Sequence, residues 1–178
     1  IAPVRRNFSG MVPVPGDGRF EWDGYLPITA KPNEFNPDRG YIETSNSNYT
    51  TPDYPYLDAI GYTWTDPYRW ARASEVLASG RKFNMMDMVQ LQHDYLSIPA
   101  RTLMPFFKDL RATDPQVETA RQMLMNWDFT ANNVGEADAL ALLMIREFMA
   151  SSYQNKPWPD VREELAKQVA HLKGHFGR

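Results

Sequence analysis

The sequence predicts an α+β chain: a strand and ordered-loop arm over residues 1–65, followed by a mainly helical region over residues 66–178. Three observations carry this reading. Nine of the 14 Pro and six of the 10 Gly fall within the first 67 residues, among many Tyr, Trp, Asn and Asp, which favours short strands and turns over helix. Beyond that point apolar residues recur at helical spacing. Helix-starting pairs, Asp66-Pro67 and Asp114-Pro115, punctuate the second part.

Within the arm, Pro13-Val14-Pro15-Gly16-Asp17-Gly18 is a turn cluster. Phe20-Glu21-Trp22 alternates apolar with polar before Asp23-Gly24, a hairpin-type turn pair, and Tyr41-Ile42-Glu43-Thr44 reads as a strand. In the second part, Asp66-Pro67 opens a helix that runs to Ala78 and stops at Ser79-Gly80. Asn84 caps the next, with Met85, Met88, Val89, Leu91 and Gln92 along it and Pro99 as its end or kink. Ala100 to Leu110 follows around Pro105, and Asp114-Pro115 opens a helix through Val117, Ala120, Met123 and Leu124 to Trp127. Glu136 to Tyr153 is the clearest helix, and Asp160 caps a last one ending near Gly174.

Composition sets outer bounds. At 43% apolar and 23% charged residues the chain is globular rather than disordered, and 178 residues suffice for one or two domains with a real core. A net charge of −3 without any Lys/Arg run leaves no footprint for nucleic acid. No apolar run approaches the roughly 20 residues of a bilayer span, so neither membrane nor nucleic acid is an expected partner. The absence of Cys removes thiolate chemistry and Cys-based zinc sites. Met85-Met86-Asp87-Met88 reads as packing, because Met fills irregular gaps. His93-Asp94 and the i, i+4 pair His171 and His175 are the remaining conventional site candidates, each weaker than a structural role.

The stretch Asn36-Pro37-Asp38-Arg39-Gly40-Tyr41-Ile42-Glu43-Thr44-Ser45-Asn46-Ser47-Asn48 stands apart. An Asn-Pro turn and a Gly lead into an extended run that delivers two side-chain amides at its far end. It is flanked by Val12-Pro13-Val14-Pro15-Gly16-Asp17-Gly18 and Glu21-Trp22-Asp23-Gly24-Tyr25-Leu26-Pro27. Asp53-Tyr54-Pro55, Asp58, Trp64 and Tyr68-Arg69-Trp70-Ala71-Arg72 follow, with weaker echoes at Gln92-His93-Asp94 and Leu124 to Asp128. Taken in order and spacing, these blocks resemble the penicillin acylase (penicillin amidase) family of N-terminal nucleophile hydrolases, over most of residues 10–128. Acyl-homoserine lactone acylases share the same pattern.

The resemblance implies a fold, a chemistry and a set of roles. The fold would be a segment of a four-layer αββα sandwich, within the large (beta) subunit of an acylase made by autoproteolytic processing of a zymogen. The nucleophile would be an N-terminal Ser carried outside this chain, since Ile1 offers none; its α-amine, with a pKa near ~8, would serve as base. Asn46 would be the catalytic oxyanion donor, with Asn48 the neighbour most easily confused with it. Arg69 would line the active site and orient substrate. Asp58, through its carboxylate, and Gly10, through its carbonyl, would contribute to a structural Ca2+, whose six to eight oxygens must come largely from elsewhere; no cofactor is implied for catalysis. Partners would be other segments of the same acylase, the small subunit and the N-terminal part of the large one, together with an acyl amide substrate. A periplasmic or secreted location is implied.

Plainer roles compete with these. Asn46 can be a turn residue, the commonest use of Asn. Arg69 can be a helix-surface Arg paired with Asp66 or Glu75. The aromatic cluster from Tyr54 to Trp70 can pack a core, or stack sugars in a non-catalytic scaffold or carbohydrate-binding module.

Overall fold

The computed structural model describes residues 2–61, 63–132 and 135–176; Ile1, which bears on the nucleophile argument, lies outside them. The chain divides into two compact units, Ile1–Arg81 and Lys82–Arg178. The sequence boundary between residues 65 and 66 marks the change to helix and falls inside the first unit.

The first unit holds strands β1 (Pro3–Arg5) and β2 (Trp22–Tyr25), a 3-10 turn (Ile28–Ala30), and helices α1 (Leu57–Ile60) and α2 (Tyr68–Leu77). β1 and β2 pair antiparallel, Pro3 opposite Tyr25 and Arg5 opposite Trp22, so two residues of β2 face one of β1. Asp23-Gly24 is therefore not a hairpin turn. Gly24, at φ +83°, is the left-handed residue of a bulge inside β2. Pro3 opens its strand, where a missing N–H costs least. Tyr41–Thr44 joins no ladder among the described residues: extended backbone becomes a strand only with a partner, and β1 and β2 pair with each other. The core of this unit is small, with Ala2, Leu26 and Ala59 buried and Ala30 and Ile60 against them. Ile28 and Phe35 are 80% and 86% exposed.

The second unit holds α3 (Met85–Gln92), α4 (Ile98–Leu103), a 3-10 turn (Met104–Phe107), α5 (Pro115–Met125), α6 (Glu136–Tyr153) and α7 (Val161–Phe176). Asn84 starts α3 with a capping box: its side chain accepts from Asp87 N while the Asp87 carboxylate accepts from Asn84 N. Pro99 neither ends nor kinks that helix, which stops at Gln92. It lies instead in the first turn of α4, where its missing N–H would be unpaired anyway, and Ser97 caps that helix through Ala100 N at 3.3 Å. Asp114 and Asp160 cap α5 and α7 through Gln116 N (2.8 Å) and Arg162 N (2.9 Å).

Leu140, Ala141, Met144, Ile145 and Phe148 form the buried stripe of α6, at the spacing of one helix face. They meet Leu103, Met104 and Phe107, Val117, Ala120 and Leu124 of α5, and Leu165 of α7. At this core's edge Arg121, buried, donates from Nη1 to the Phe107 carbonyl (3.1 Å) and from Nε and Nη2 to the Glu118 carboxylate (3.0 and 2.7 Å). Gln122 and the backbone N–H of Ala112 add donors to the same carboxylate. Led by the Arg121 hydrogen bonds, this set holds Glu118 well below the usual carboxylate range, at about 2. No described helix is long and apolar enough to cross a membrane.

Candidate active site

Residues 44–47 make a tight turn. Ser47 N donates to the Thr44 carbonyl at 2.7 Å, and the Ser47 hydroxyl donates to the same oxygen at 2.6 Å. Its central residues, Ser45 and Asn46, stand at φ +43° and +57°, both positive as in a type I′ turn. Asn tolerates that region better than most residues, and a Ser there stores strain. The Asn46 carbonyl accepts from Thr65 N at 3.1 Å, pinning the turn to the segment that leads into α2.

α2 then brings Arg69 back to the turn. Arg69 Nη2 donates to Asn46 Oδ1 at 2.8 Å. A guanidinium has donors and no acceptor, so the amide atom facing it must be the oxygen. The Asn46 amide is thereby oriented, and its NH2 group becomes the outward-facing donor. Both side chains are exposed.

The two Asn candidates differ in what their side-chain oxygens meet. Asn48 Oδ1 accepts from Thr50 N (3.0 Å) and the Thr50 hydroxyl (2.6 Å), so its side chain stabilises its own turn. Asn46 occupies its turn through backbone alone and commits its side chain to Arg69. Glu75 pairs with Arg72 at 3.2 Å, one helical step from Arg69.

Asp58 and Gly10 lie beside a third residue that the sequence did not single out. Arg5 Nη1 donates to the Asp58 backbone carbonyl at 3.1 Å. Its Nε lies 2.8 Å from where a Cβ on Gly10 would stand, and Gly10 adopts φ +78°. A guanidinium thus rests against both segments. One carboxylate and one carbonyl beside a cation do not by themselves fit the oxygen shell of Ca2+, and among the described residues no three His, Cys, Asp or Glu side chains converge on a common point.

The other candidates have local roles. His93 Nδ1 lies 2.9 Å from the Val89 carbonyl, at the end of α3, and Asp94 accepts from Leu96 N at 2.9 Å. His175 Nδ1 lies 2.9 Å from the His171 carbonyl.

Comparison with known proteins agrees with this architecture. The chain has the fold of the corresponding part of thermostable penicillin G acylase from Alcaligenes faecalis: the TM-score is 0.64 at 18% identity, covering 99% of this chain and 44% of that one. The family profile described as Penicillin amidase matches residues 1–174, and the chain belongs to that family. Among curated relatives, penicillin G acylase of Escherichia coli is 28% identical over 123 residues, 66% of this chain and 14% of that protein. Acyl-homoserine lactone acylase QuiP of Pseudomonas aeruginosa is 28% identical over 106 residues, 59% of this chain and 12% of that protein. QuiP of Pseudomonas syringae pv. syringae is 29% identical over 168 residues, 94% of this chain and 20% of that protein. The chain therefore spans a fifth or less of the length of these relatives.

Proposed function

We propose that these residues are part of an amidohydrolase of the penicillin acylase type, which cleaves an acyl amide by acylation and deacylation of an N-terminal Ser on another segment. The observation that carries the reading is the oriented amide of Asn46. A tetrahedral intermediate places negative charge on the former carbonyl oxygen, and a preorganised neutral N–H donor stabilises that charge without moving a proton. Arg69 fixes which end of the amide faces out, and is a positioning residue in that step. Its remaining donors suit the polar end of a substrate.

The other segments of the acylase, small subunit and N-terminal part of the large subunit, are the proposed partners. The exposed apolar residues of the first unit, Trp22, Tyr25, Ile28 and Phe35 among them, are the surface such segments would cover. A Ca2+ shared with them would draw only on the Asp58 carboxylate and Gly10 carbonyl here. Autoproteolytic processing and a periplasmic or secreted location belong to the same proposal.

The test is hydrolysis of phenylacetyl amides, long-chain acyl amides and acyl-homoserine lactones by the complete protein carrying this segment, with and without Asn46→Ala. The proposal expects one of these amides to be cleaved, and cleavage to collapse in the variant. No cleavage of any acyl amide would overturn it. A preference for acyl-homoserine lactone would select the quorum-signal branch of the same chemistry.

A further inference from the structure

The loop carrying Asn46 and helix α2 meet a second time, and there they enclose a pocket of about 760 Å³ within the first unit. That volume suits a small ligand. Trp70 and Ser74, at i and i+4, present one face of α2 to it. Tyr41, Tyr49 and Tyr54 supply further aromatic wall.

Its charge is set by three lining residues, Glu34, Arg39 and Glu43. Arg39 is already committed: it pairs with the Glu34 carboxylate through both terminal nitrogens and lies over the Tyr41 ring, 5.3 Å from its centroid. Glu34 and Arg39 cancel. The net charge of the lining is that of Glu43.

Glu43 is held but incompletely satisfied. Its Oε1 accepts from the Ser74 hydroxyl at 2.8 Å. Its Oε2 is shut off from solvent and meets no donor among the described residues. A desolvated carboxylate oxygen without a donor is costly, and the bond from Ser74 keeps the carboxylate from swinging out to recover water. A cation held in the pocket offsets the charge of that carboxylate through space, and an aromatic lining favours a cation over a neutral donor.

We propose that this pocket binds an organic primary ammonium, with the ammonium beside the Glu43 carboxylate and its apolar body against Trp70 and the tyrosines. The ammonium has two sources, a free amine or the amino group of an amine-bearing amide substrate. The proposal stands apart from the amidase reading, because it is tested by binding rather than turnover.

The experiment titrates the complete protein with benzylamine, largely protonated at pH 7, and with benzyl alcohol as its neutral counterpart, by calorimetry. The expected result is a preference of at least about tenfold for benzylamine. Glu43→Gln should abolish that preference and leave hydrolysis of a neutral acyl amide intact. Competitive inhibition of hydrolysis by benzylamine would identify a substrate's own amino group as the natural occupant; binding without competition would identify a free amine. Equal binding of the two probes to the unmodified protein overturns the proposal, even where Glu43→Gln fails to fold. Retention of the preference in a folded Glu43→Gln protein overturns it as well.

Discussion

Removing the Asn46 side chain tests the candidate site directly, and the Arg69 contact sets how the loss should partition. Loss of one preorganised oxyanion donor lowers kcat by ~10²–10³, so Asn46→Ala should fall in that range with KM little changed, because the donor matters most when charge develops. In the proposed step Arg69 acts through a single charge-assisted bond of 2.8 Å. Such bonds contribute about 1.5–3 kcal/mol, and exposure of both side chains argues for the lower end, a loss of roughly tenfold. The two effects should not add: once the amide is gone, Arg69 has nothing to orient, so Arg69→Ala in the Asn46→Ala background should cost little more. Asn46→Asp is the informative companion. It keeps the acceptor for Arg69, and so the local fold, but puts a negative charge where the oxyanion forms, and should be at least as inactive as Asn46→Ala. The assay is steady-state kcat and KM on a neutral acyl amide, using the complete protein. Asn46→Ala retaining kcat within about threefold, or full additivity with Arg69→Ala, would refute the assignment.

The fold supports further tests. Glu118 has its carboxyl held down to about 2, first by Arg121; its contribution to stability is present above the unfolded carboxyl value of about 4.3 and is lost as pH falls through about 2. Thermal melts between those values should show a shallower pH dependence in Glu118→Gln than in the unmodified protein. Gly10→Ala should destabilise by about 1 kcal/mol or more, since the methyl meets Arg5 and the backbone is left-handed; a chemical denaturation curve measures it. Leu124, fully buried among α5, α6 and α7, should cost roughly 2–5 kcal/mol on truncation to Ala, read from the same curves. Asn84→Ala should cost about 1 kcal/mol, shown by faster amide exchange in the first turn of α3.

Much of the helical region is legible in the residues, because its signals are local. Asn84, Asp114 and Asp160 cap where their side chains can reach the next turn, and the apolar stripe of Glu136–Tyr153 repeats at the helical period, so both ends of α6 fall where the sequence puts them. Pro99 shows the limit of such signals: a Pro is compatible with a helix end or a first turn, and only the chain before it, stopping at Gln92, selects the second. Gly24 is similar. Asp-Gly is a turn pair when the next strand folds back locally, but a bulge when the partner strand lies about 20 residues earlier, as β1 does.

The candidate site divides the same way. The stretch Asn36 to Asn48 places amides at the end of a loop, and its resemblance to the family, with that of Tyr68 to Arg72, marks Asn46 and Arg69 as candidates, because a turn and a motif are written in neighbouring positions. Which distant side chain Asn46 meets, and which atom of its amide does so, is not written there. Those follow from α2 folding back 23 residues later to set a guanidinium against one oxygen. Arg5 beside Gly10 and Asp58, and the unpaired oxygen of Glu43 behind Ser74, have the same origin. Each joins groups 5 to 53 positions apart, which only the folding of the chain brings together.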